Sequence, residues 1–151
     1  MNFKIVVIFF IDNDLDEKIL EMHDDFPTVH FIRGSPTQTA LVVNAINTLN
    51  TDVKVNVCHK STTEFSMKVY EAIKAIPKGE KRSYSEIAEQ IGNPQAYRAV
   101  ARTCATNNLA YIVPCHRVIA SNGALSGYRW GLDRKRRLLL EEGVELTHAV
   151  M

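Results

Sequence analysis

The chain has 151 residues, 46% apolar and 23% charged, with a formal net charge of +1. That balance fits a globular protein able to bury a core without disulfide or metal staples. No stretch approaches the roughly 20 apolar residues of a membrane span, which argues against a membrane protein.

The opening "MNFKIVVIFFIDNDLDE" has a short apolar run that ends in acids, without a small-residue cleavage site. No signal peptide is expected, and a cytoplasmic protein is the simplest reading. Within residues 1–60, "FKIVVIFFI", "TVHFIR" and the alternating "DVKVNVC" are predicted strands. "TQTALVVNAINTL" carries Leu41, Val42, Ala45, Ile46 and Leu49 at helical spacing. The fold class expected is α+β: a small N-terminal α/β lobe over 1–60, then a mostly helical domain over 61–151. Charge divides the same way. Residues 1–60 carry 5 Lys/Arg and 8 Asp/Glu, whereas 61–151 carry 13 and 9, so a polyanion would meet the second part.

From Glu64 to Ile76, Phe65, Val69, Ile73 and Ile76 form one helical face. Pro77 and Gly79 stop it. Ser83 and Glu86 then form a capping box that opens a short helix to about Ile91. "GNP" breaks the chain, and a second helix is predicted from about Pro94 to Thr106. Two short helices about a tight turn make a helix-turn-helix pattern, although a purely structural helical hairpin reads the same way. Arg98 and Arg102 lie one turn apart on a shared face. Between Leu132 and Glu142 a last helix is predicted, capped by Gly143. Its "DRKRR" run reads as a solvated face.

Three cysteines, Cys58, Cys104 and Cys115, are an odd number and widely spaced, which argues for reduced thiols rather than a disulfide framework. "VPCHRVIA" sets Cys115 directly before His116. Taken alone, the pair allows a buried structural thiol, a metal ligand or a nucleophile. Cys58–His59 and Cys115–His116 could supply zinc ligands, but they lack the short Cys-x-x-Cys knuckles of strong zinc sites. A nucleophile would need a base to take its proton. Adjacent side chains in an extended strand diverge, so His116 would act through a bend or a bridging water.

"NNLAYIVPCHRVIASNGALSGYRWGLDRKRRLLLEEG", with "GEKRSYSEIAEQIGNPQAYRAVA" before it, resembles the O6-alkylguanine-DNA alkyltransferase family across about residues 64–146. The resemblance implies a variable N-terminal α/β lobe and a single-use transfer of an alkyl group from O6-alkylguanine in double-stranded DNA to Cys115. O4-alkylthymine is implied as a second substrate. It implies no cofactor, no metal and a monomer. His116 falls on the histidine that takes the thiol proton through water, and Glu142 on the acid that orients it. Asn107 falls on the hinge asparagine. Tyr84 matches the tyrosine that crowds a phosphate and reaches toward the guanine, and Arg98 the arginine that enters the base stack. Arg102 stands where the family often has a small residue, and either adds a phosphate contact or limits how closely the helix docks. Tyr128, Val118 and the loop 127–131 would form the pocket, with Arg129 and Trp130 narrowing it against bulky adducts. Two other classes compete: a sensor that binds and flips alkylated bases without transfer, and an unrelated Cys–His hydrolase or redox protein. Relatives of the sensor type lack the cysteine that stands here at 115.

Overall fold

The computed structural model describes residues 14–26, 35–48, 59 and 61–146. The three strands expected in the first 60 residues, together with Cys58, lie outside the described residues. Two helices of that region are described. The first, α1 (Leu15–Asp25), was not expected, although Leu15, Ile19, Met22 and Phe26 recur at helical spacing. Local electrostatics add to that pattern. Asp14 caps it by accepting from the Asp16 backbone N–H at 2.8 Å, and Asp16 and Glu17 sit in its first turn. None of its residues is buried. The second, α2 (Pro36–Thr48), is the helix expected there. Its packing face differs from the expectation: Val42 meets the core, whereas Leu41 stays 49% exposed.

The remaining elements run α3 (Glu64–Lys74), β1 (Arg82–Ser83), α4 (Tyr84–Gln90), a 3-10 turn (Pro94–Ala96), α5 (Tyr97–Ala105), a second 3-10 turn (Cys115–Arg117), β2 (Val118–Ile119) and α6 (Leu132–Glu141). The described chain is thus mostly helical, with one two-stranded parallel sheet that pairs Arg82 with Val118 and Ser83 with Ile119. That small sheet ties the start of α4 to the segment just after the cysteine. No helix among the described residues is long and apolar enough to cross a membrane.

The core is built where the helical spacing put it. Val69, Tyr70 and Ile73 of α3 meet Ile87 and Ala88 of α4, Val100 and Cys104 of α5, and Leu109, Val113 and Val118. α4 packs on both α3 and α5. After α6, Gly143 takes φ +83, which lets Val144 return its backbone N–H to Leu139 O at 2.9 Å and reverses the chain.

The Ser83 capping box is present in both directions. Ser83 Oγ accepts from the Glu86 N–H at 3.0 Å, and Glu86 Oε2 accepts from the Ser83 N–H at 2.6 Å. Because α4 is only seven residues long, it depends on this cap and on packing. Ser83→Ala is expected to lower unfolding free energy by about 1 kcal/mol in a urea titration.

Candidate active site

The site starts at the end of α5. Thr106 closes the helix, and Asn107 follows with its side chain fully buried. Asn107 Oδ1 accepts from the Leu109 N–H at 3.0 Å. Its Nδ2 donates to Val113 O at 3.0 Å and to the Cys115 sulfur at 3.2 Å, with a longer approach to Leu109 O at 3.4 Å. One amide therefore holds both ends of the 108–114 loop and the thiol itself. To close that loop, Tyr111 takes φ +66, and among the described residues it is the one non-glycine with positive φ. A left-handed tyrosine costs about 1–2 kcal/mol. Its ring lies edge-on to His116, with centroids 6.3 Å apart.

Cys115, His116 and Arg117 form a single 3-10 turn, which corrects the extended geometry assumed for the motif. Successive side chains on such a turn still diverge, by about a third of a revolution. The thiol faces Asn107, while the imidazole and the guanidinium face Glu142. His116 Nε2 lies 2.8 Å from Glu142 Oε1, and Arg117 forks onto the same carboxylate through Nε at 2.9 Å and Nη2 at 3.0 Å. Arg117 Nη1 also donates to Ile76 O at 2.8 Å. The Glu142 side chain is only 4% exposed, whereas Glu141 points to solvent.

Charge in this pocket follows from the contacts. Burial alone would raise the Glu142 carboxyl, but the hydrogen bonds and charges of His116 and Arg117 hold it down at about 2. A carboxylate there fixes the imidazole tautomer. Nε2 carries the hydrogen toward Glu142, and Nδ1 is left with its lone pair. That Nδ1 is buried and has no protein partner. Burial also lowers the His116 pKa, against the pull of Glu142. Cys115 is 3% exposed, and its burial raises the thiol above its ordinary value despite the Asn107 hydrogen bond and the Lys135 charge.

Tyr84 is buried, and its hydroxyl donates to Ser126 O at 2.8 Å. Tyr128 is buried as well, with its ring against Trp130 at 5.3 Å, and Val118 is fully enclosed. Arg98 and Arg102 are exposed on α5. Arg129, expected to narrow the pocket, uses its guanidinium elsewhere: on Asn107 O at 3.2 Å, on Glu21 at 3.2 Å and on Asp25 at 3.5 Å. It thus links α1 to the hinge. His59 is buried and stacked on Tyr70, with ring centroids 4.4 Å apart. A groove of about 590 Å³ runs along the outer face of α6, lined by residues such as Trp130, Arg137 and Leu140. Neither Cys115 nor His116 lines it.

Two buried cations beside the site carry no role in the sequence analysis. One is Arg117, inside the motif. The other is Lys135, which corrects the solvated reading of "DRKRR". Lys135 is fully buried; its Nζ donates to Ser126 O at 2.8 Å and to the Tyr84 hydroxyl at 3.4 Å. The signal was its place on the same stripe as Leu138 and Leu139, one turn ahead of both.

Residues 64–144 match the DNA-binding domain of 6-O-methylguanine DNA methyltransferase, and that span holds every element from α3 to α6. The chain belongs to this family. It is 57% identical over 81 residues to a methylated-DNA–protein-cysteine methyltransferase of Methanosarcina acetivorans, covering 54% of this chain and 52% of that protein. A regulatory protein Ada of Salmonella typhimurium is 42% identical over 139 residues, covering 87% of this chain and 38% of that one. The chain therefore spans about a third to a half of the length of these relatives. The crystal structure of the Mycobacterium tuberculosis OGT in complex with DNA superposes with a TM-score of 0.59 at 42% identity, covering 70% of this chain and 64% of that one.

The family's segment carries a buried cation that no carboxylate neutralises among the described residues. Burial lowers Lys135 to about 8, against the opposing pull of Cys115 and Cys104. A depressed lysine pKa means that holding the proton in the fold costs stability at neutral pH, and the cost fades between about 8 and the ordinary value near 10.4. Lys135→Met is therefore expected to unfold at higher denaturant than wild type at pH 7. The difference should shrink above pH 8. A gap that widens with pH would contradict the buried charge.

Proposed function

We propose that this protein repairs DNA by moving the alkyl group of O6-alkylguanine, and of O4-alkylthymine, onto Cys115 in a single-use reaction. The observation that carries the reading is the pairing at the thiol. Asn107 Nδ2 sits on the sulfur at 3.2 Å. Beside it, Glu142 fixes His116 with a basic, unpartnered Nδ1. Burial keeps Cys115 protonated, so attack needs a base. His116 Nδ1 takes the proton through a bound water. The sulfur electron pair attacks the alkyl carbon, a C–S bond forms as the C–O6 bond breaks, and the bond pair leaves on the guanine. The guanine then takes up a proton, toward which the Tyr84 hydroxyl donates. The product is a thioether that stays on the protein, so no cofactor is needed and each molecule acts once.

The alkylated base must leave the duplex to meet the sulfur, at a cost of a few kcal/mol that is lowest for a poorly paired base. In this reading α4 and α5 act as a helix-turn-helix on the minor groove, where no base sequence has to be read. Arg98 fills the gap in the stack, and Arg102 takes a phosphate. Tyr128 and Val118 line the pocket for the extruded base. Residues 61–151 form the DNA-binding and transfer domain, residues 1–60 a separate lobe, and the protein works as a monomer. The exposed arginines of α5 and the positive balance of residues 61–151 support a polyanion partner.

Incubation with a duplex bearing O6-methylguanine should add roughly 14 Da to the intact protein, on the Cys115 peptide, and Cys115→Ser should lose the gain. Binding with no mass change would instead identify a sensor. Methylation also inserts a carbon beside the Asn107 brace, and overpacking of that kind costs about 1–3 kcal/mol. The alkylated protein should melt below the free protein in a calorimetric scan; an unchanged or raised melting temperature would contradict the tight site.

A further inference from the structure

Tyr97 is the one large aromatic side chain left exposed among the described residues, at 40%. It opens α5, directly after the 3-10 turn Pro94–Ala96. The fold does not need it there, because α5 buries Val100, Thr103 and Cys104 instead. The Arg98 guanidinium lies over its ring, 5.6 Å from the centroid. Helical spacing places Tyr97 one turn from Ala101, just as Arg98 is one turn from Arg102. The outer side of α5 is therefore a strip of one aromatic, one small residue and two cations. That composition suits the minor groove, whose walls are apolar sugars between anionic phosphates. An aromatic face can lie against a sugar or base edge without reading sequence.

We propose that Tyr97 is a DNA-contacting residue that lies in the minor groove beside the extruded nucleotide and presents Arg98 to the base stack. The assignment rests on the repair function proposed above. Before DNA binds, the ring holds the guanidinium by a cation–π contact, which limits the conformations that a long exposed arginine samples. On DNA, Arg98 moves from the ring into the stack, and the freed ring face packs on the groove wall.

The test compares wild type, Tyr97→Phe and Tyr97→Ala on a duplex with 2-aminopurine at the target position. Dissociation constant and fluorescence gain are both read at fixed salt. Tyr97→Ala should weaken binding on the order of tenfold and reduce the fluorescence gain, while Tyr97→Phe keeps both near wild type. The free base O6-methylguanine bypasses DNA, and the rate of methyl transfer from it monitors the integrity of the fold and site. A Tyr97→Ala protein that loses as much rate on the free base as on the duplex overturns the assignment, because the role would then be structural. Wild-type binding and fluorescence in Tyr97→Ala also overturn it, and leave the transfer reading standing if wild type still methylates itself. A wild type that takes no methyl group from O6-methylguanine duplex overturns both.

Discussion

The Asn107 amide is the constraint on which the site depends. It is fully buried, so each of its polar atoms needs a partner inside the protein. Leu109 and Val113 supply most of them, and the Cys115 sulfur supplies the last. These groups converge only if the intervening loop folds tightly, and the tight loop demands the left-handed Tyr111. A strained tyrosine costing about 1–2 kcal/mol is tolerable against a buried amide whose unmade hydrogen bonds would cost about 1–3 kcal/mol for each group. The backbone oxygen of the same asparagine receives Arg129, which also holds α1. Asn107 therefore joins the end of α5, Cys115 and, through Arg129, the first described helix.

A second organising contact is the carboxylate of Glu142. Two buried cationic or potentially cationic side chains, Arg117 and His116, share it. A carboxylate buried alone would be protonated. Here the guanidinium fork neutralises it and leaves the histidine neutral, with its free lone pair on the far side of the ring. Burial chiefly keeps His116 neutral, and the Arg117 charge pushes in the same direction without touching the sulfur. Lys135 is the opposite case. It has only a carbonyl and a phenol as partners, and its charge stays uncompensated near the thiol.

Much of this was legible in the residues, and what was not has a common cause. The helical period exposed α3, the capping box marked α4, and the "PCHR" segment with Asn107, Tyr128 and Glu142 pointed to one site. Those signals are local, or are carried by a family likeness. Lys135 looked solvated because its polar partners, Tyr84 and Ser126, lie 51 and 9 residues away, and only its place on the Leu138–Leu139 stripe marks it as inward. The stripe of α1, Leu15, Ile19, Met22 and Phe26, lies among acids, and no residue of the helix itself is buried; its N-cap and its distant tie to Arg129 hold it. The ties of Arg129 to α1 are not legible in the sequence, since its acids lie 108 and 104 residues earlier. The left-handed Tyr111 carries no glycine or asparagine to betray the turn.

For the single-use nucleophile proposed at Cys115, a raised thiol pKa has a use. An exposed thiolate is open to oxidation and to stray electrophiles, whereas a buried thiol is inert toward both. Cys115 is stored in the protonated, enclosed form. The proposed base, His116, is held with an unpartnered Nδ1 and stays neutral because burial lowers its pKa. Neither group needs to be ionised in the resting protein. Charge separation is deferred until a substrate carbon is in place to consume the thiolate, and in the proposed reaction the thioether formed there has no reason to leave. An enzyme built for turnover would need the opposite arrangement, with a thiolate poised in advance and a route to regenerate it. In the proposed reaction, Asn107, His116 and Glu142 serve a single transfer to Cys115.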